Sequence, residues 1–142
     1  MTWAQAPRDL DLYCVTNFKP STIYFGSKNA GGRSNLSKGK IELDVDVRQG
    51  FGPETITFTP FADKKYRFYV HNYSDETALS ESCANIVVHK GGGETISLDI
   101  PTDIVVDSAG KHARYWNVFE LWGGEIRIAN EVVPADLRNR TF

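Results

Sequence analysis

The chain has 142 residues, of which 41% are hydrophobic and 24% charged, and a formal net charge of -2. Those proportions fit a single soluble-type globular domain with one core and exclude a disordered chain. A charge so near neutral offers no basic field for a phosphate backbone, so no nucleic-acid partner is expected. No window reaches the apolar length of a membrane-spanning helix, so no membrane insertion is expected.

The first element follows R-D-L-D-L-Y-C. A strand is predicted over residues 10–15, with Leu10, Leu12 and Cys14 on one face and Asp9 and Asp11 on the other. The start, MTWAQAPRDLDL, lacks the basic and apolar regions of a secretory leader. Trp3 so near the start favours a domain cut from a larger protein, extracellular or at the cell surface, with an intracellular place left open. A second strand is expected over 22–25, and then a loop rich in Ser, Asn, Gly and Lys over 26–40, the segment expected to be most mobile.

The third strand, 41–47, alternates Ile41, Leu43, Val45 and Val47 with Glu42, Asp44 and Asp46. The turn G-F-G-P at 50–53 then leads to Glu54. Further strands are read over 55–58, 66–73, 84–89, 95–100, 114–121 and 125–132, each short and rich in Val, Ile, Tyr, Phe and Thr. Gly123-Gly124 in L-W-G-G-E-I marks a two-residue hairpin. About nine short strands with frequent turns and no helical period predict an all-β fold, one antiparallel β-sandwich of immunoglobulin-like or jelly-roll-like architecture spanning 1–142.

Two strands thus each carry a D-x-D pair on the side away from the apolar stripe. Like charges at i and i+2 repel and need a cation, either basic side chains or a metal. Asp9, Asp11, Asp44, Asp46 and Glu54 are the candidate ligands, and calcium, a hard ion taking about six to eight oxygen donors, fits an all-carboxylate set. The bland alternative is a solvated face balanced by Arg8 and Arg48.

These residues, taken in order, resemble the YfaP-like β-sandwich domain family of unknown function, found in bacterial secreted and cell-surface proteins and some multidomain eukaryotic ones. The likeness lies in W-x-x-x-P-x-D-L-D-L, I-Y-F-G, G-G, L-D-V-D with G-F-G-P-E-T-I-T-F, Y-R-F-Y-V-H-N-Y and Y-W-N-V-F-E-L, from Trp3 to about Asn130. The family's polar signature falls on Asp9, Asp11, Asp44, Asp46, Gly50, Gly52, Pro53 and Glu54. Tyr13 stands where the family often has His, and Val47 where it often has Asp, which removes two further ligands. A fainter similarity in layout points to the calcium-binding tellurium-resistance domains. The resemblance implies a β-sandwich and a gathered carboxylate set, and it implies no activity.

Other candidates are weaker. His71, His89 and His112 form no zinc-ligand spacing, and no serine sits in a nucleophile elbow. His71, with Tyr69 and Tyr73, reads as a surface patch. Trp116 is predicted on the face opposite Tyr115 and Phe119, and Trp122 reads as a core or corner residue before it reads as a binding platform. Cys14 and Cys83 read as buried thiols in preference to a disulfide. The expected function is a non-enzymatic binding or adhesion module for a protein or carbohydrate partner, stabilised by calcium. The alternatives are a metal-free spacer and, further off, a hydrolase.

Overall fold

The computed structural model describes residues 1–18, 22–30 and 41–142. The part of the predicted loop at 31–40 lies outside the described residues. Within them the chain is all-β and antiparallel. Ten strands are present: β1 (Leu10–Thr16), β2 (Thr22–Ile23), β3 (Asn29–Ala30), β4 (Ile41–Val45), β5 (Thr55–Phe58), β6 (Lys65–Asn72), β7 (Asn85–His89), β8 (Thr95–Asp99), β9 (Tyr115–Trp122) and β10 (Glu125–Val133). Among the described residues no helix is long and apolar enough to cross a membrane.

A five-stranded sheet, ordered β10-β9-β6-β1-β2, forms one layer of the sandwich. The other layer is two smaller sheets, β3-β4-β5 and β7-β8. The apolar stripes meet between the layers: Leu10, Leu12 and Cys14 of β1, Phe68 and Val70 of β6, and Trp116 and Leu121 of β9 pack with Ile41, Leu43 and Ile86. The β9–β10 hairpin turns on Gly123 (φ 57°) and Gly124 (φ 84°), the left-handed pair that a two-residue turn matching strand twist requires.

Two bulges overturn expected side-chain directions. A register shift between Leu43 and Val45 breaks the alternation of β4, leaving Val45 40% exposed instead of in the core. A second shift, between Phe68 and Tyr69 where β6 meets β9, brings Phe119 into the same core as Trp116. A bulge opposes two residues to one, so every side chain beyond it changes face.

The outer face of the large sheet is covered too. Tyr13, Val15 and Tyr69 pack with Leu137, so of the surface patch expected around His71, Tyr69 is fully buried, His71 is half-buried and Tyr73 is exposed. Arg67 fastens that segment. Buried at 2% exposure, it donates to Glu120 Oε1 (2.8 Å) and to the main-chain oxygens of Arg140 (2.7 Å) and Thr141 (2.9 Å), with Phe142 against its guanidinium. His71 stacks on Tyr115, and burial followed by the Arg114 charge holds it neutral, its pKa lowered to about 4. Trp122 is neither core nor free platform, lying between the cations of Lys65 and Arg127.

Both cysteines are free; Cys14 is buried as expected, but Cys83, expected buried, is exposed because it lies in the connection ahead of β7, with φ of 51°. Burial alone raises the Cys14 thiol, which removes its nucleophilic form. A thiol reagent is therefore expected to label Cys83 within minutes in the native protein and Cys14 only on unfolding, read by peptide mass. Rapid native labelling at both would contradict this packing.

Candidate metal centre

The acidic residues gather where three stretches of chain meet. β1 carries Asp11, with Asp9 just before it. The chain leaving β4 carries Asp46. The turn 50–53 reverses direction and delivers Glu54. That turn needs its glycines: Gly50 and Gly52 have φ of 56° and 75°, and a Cβ would stand 2.8 Å from the Gln5 oxygen at the first and 2.8 Å from the Trp3 ring at the second.

One oxygen from each of Asp11, Asp46 and Glu54 lies within 4.8 Å of the others. Glu54 is 1% exposed. Its Oε2 accepts from the Leu12 N–H at 2.7 Å and its Oε1 from the Val47 N–H at 3.4 Å. β2 begins to pair with β1 only at Cys14, so the Glu54 carboxylate occupies the edge that β1 leaves open before it. Asp46 Oδ2 meets Lys28 at 3.6 Å and Arg48 at 3.8 Å. Among the described residues, three buried carboxylate oxygens nonetheless have no partner: Asp9 Oδ1, Asp11 Oδ2 and Asp46 Oδ1. Asp11 as a whole is 4% exposed.

Burying unpartnered anions together penalises their charged forms. Asp11 is pushed up to about 7, by burial first and then by Asp9 and Asp46. Glu54 is pushed up to about 8 by burial, against the pull of its bonds from Leu12 and Val47. Asp9 rises as well, through burial and the Asp46 charge. A cavity of about 100 Å³ reaches Asp9 and Asp11 from the surface, beside Phe25, Arg48 and Tyr73.

Of the five candidate ligands, Asp11, Asp46 and Glu54 are therefore gathered, Asp9 lies beside Asp11 and Asp46 but outside that group, and Asp44 stands apart. Asp44 is exposed, and its carboxylate accepts from the Thr57 hydroxyl across the β4–β5 ladder. The bulge in β4 is the reason: it separates Asp44 from Asp46, which the alternation placed on one face. Of the two arginines expected to balance the acids, Arg48 reaches Asp46, but Arg8 pairs with Glu76. Lys28 at Asp46 carries no signal in the sequence. Chemically the centre offers hard oxygen donors alone, which suit a hard divalent cation. Comparison of the chain with family models, curated proteins and solved structures gives no match.

Proposed function

We propose that this chain is a non-enzymatic binding module, for a protein or carbohydrate partner, whose acidic centre is held by calcium. The observation that supports this is the convergence of buried carboxylate oxygens that have no partner among the described residues, Asp11 Oδ2 foremost. A divalent cation at Asp9, Asp11, Asp46 and Glu54 would neutralise that charge and tie β1 to the chain on either side of the turn. Calcium suits the site better than magnesium because it accepts irregular, flexible oxygen coordination, whereas magnesium demands a near-ideal octahedron.

Melting curves in calcium and in chelator test the reading. At a calcium concentration about 100 times the dissociation constant, the stabilisation is about 2.7 kcal/mol, or roughly 5–10 °C in a domain of this size. Asp11→Asn is expected to abolish the shift, and Asp44→Asn to leave it intact. Coincident curves at millimolar calcium would instead support the spacer reading, which the Lys28 and Arg48 contacts at Asp46 favour.

A further inference from the structure

The acidic centre is closed on one side and open on another. Glu54 lies buried at its base, held by the Leu12 and Val47 N–H groups. Toward the surface, the cavity of about 100 Å³ runs from Asp9 and Asp11 past Arg48, Phe25 and Tyr73. Asp11 lines this cavity while itself only 4% exposed, and its Oδ2 has no partner among the described residues.

Both aromatic rings at the mouth are anchored. Tyr24 and Ser27 exchange both main-chain bonds, at 3.1 and 2.9 Å, which puts Phe25 at the tip of a two-residue turn. The Tyr73 N–H donates to the Asp9 carbonyl at 3.1 Å, and the Tyr73 carbonyl accepts from Arg114 at 3.0 Å. The two rings meet edge to face at 5.9 Å. Tyr73 is nonetheless 54% exposed, so its ring is presented to solvent beside the acids. A platform fixed in advance costs a ligand little ordering.

The proposed ligands Asp9, Asp11, Asp46 and Glu54 supply four of the roughly six to eight oxygen donors that calcium takes, which leaves about two to four positions toward the cavity. Charge decides what fills them. A divalent ion, with Lys28 and Arg48 at Asp46, balances the four ionised acids, and Arg8 and Glu76 cancel each other. A carboxylate ligand would bring a fifth negative charge to a balanced site, whereas neutral oxygens keep the balance. Hydroxyls suit best, because each gives its oxygen to the ion and its proton to an acid. Asp9 Oδ1 and Asp11 Oδ2 are acceptors in want of such donors. The cavity is far smaller than the roughly 300–1,000 Å³ that encloses a whole small molecule, so it takes one edge of its ligand and leaves the rest outside.

Building on the calcium reading above, we propose that this cavity is a carbohydrate subsite, in which two adjacent hydroxyls of a pyranose ring complete the shell of the calcium ion. The ring stays outside the cavity, with its C–H groups against Tyr73. Asp9 and Asp11 serve the ion and the hydroxyl protons together.

Nuclear magnetic resonance of the 142-residue chain in millimolar calcium tests this, with methyl α-glucopyranoside and methyl α-galactopyranoside as probes. The Tyr73 and Phe25 ring signals are expected to shift saturably at millimolar glycoside. The shifts should vanish in chelator, and with the 3-deoxy analogue of either sugar, which has no adjacent hydroxyl pair. Tyr73→Ala is expected to weaken binding roughly tenfold while keeping the calcium-dependent melting shift. Unchanged ring signals with both glycosides, in protein whose melting temperature calcium raises, overturn the subsite and leave a purely structural ion. Absence of any calcium effect on melting overturns the ion itself, and the subsite with it. Equal shifts from the 3-deoxy analogue overturn the hydroxyl pair as the recognised group. Tighter saturation by acetate overturns a carbohydrate in favour of an acidic side chain of a protein.

Discussion

In chelator, the protein is expected to gain about 1–2 kcal/mol of stability as the pH falls from about 8 to about 6.5. The usual trend is the reverse, because paired carboxylates have lowered values. Here Glu54 and Asp11 titrate near about 8 and about 7 in the fold but near 4.5 and 3.8 when unfolded. Between those limits the folded state binds more protons, so stability present at low pH is lost as the pH rises through the folded values. Two groups oppose this gain. The Met1 ammonium, lowered by burial, offsets part of it near neutrality. His71, lowered from 6.5 to about 4, costs stability below about 6.5, so the curve should flatten there.

Under the calcium proposal the slope reverses. Calcium would bind the ionised carboxylates, so its stabilising effect is expected to be full near pH 8 and to fade toward pH 5 as protons compete. Asp11→Asn should raise the stability of the chelated protein at pH 8 and flatten its pH dependence. A melting temperature that falls steadily from pH 8 to 6.5 in chelator would sink the picture of buried anions in the metal-free fold.

Replacing Arg67 with methionine is expected to cost about 3–5 kcal/mol. The guanidinium is 2% exposed, and its loss strands Glu120 together with the main-chain oxygens of Leu137, Arg140 and Thr141. The carboxy-terminal segment would then lift from the outer face of the large sheet, uncovering Tyr13 and Tyr69. Limited proteolysis should cut near residues 134–142 well before the sheets unfold. Adding Glu120→Gln should recover part of the loss, because the uncompensated charge is gone while Trp122 keeps its acceptor. A melting temperature within a degree or two of the parent would show that the segment is held by Leu137 and Phe142 instead.

What could be read from the sequence follows from periodicity. β1, β5, β7 and β8 alternate cleanly and lie where the pattern placed them. Val45 and Phe119 took other faces because a bulge depends on which strand lies alongside, and that is a tertiary fact. The same fact removed Asp44 from the carboxylate cluster. Asp11, Asp46 and Glu54 could be suspected from like charges and a turn rich in glycine. That Glu54 fills the open edge of β1 could not, since the edge exists only because β2 pairs late. The carboxy-terminal segment gave no strand signal, and its anchor, Arg67, looks like any arginine on an exposed strand until its four acceptors are in place.

The pairing of Met1 with Glu54, and of Thr2 with Asn85, also bears on how the protein should be handled. An affinity tag joined ahead of Met1 leaves the fold between β5 and β7, toward the cavity lined by Ile56, Phe58, Ile86 and Val88. It would also replace the Met1 ammonium beside the Glu54 carboxylate with a neutral peptide group. A tag placed after Phe142 avoids both effects, so the two fusions of one sequence should differ in pH response.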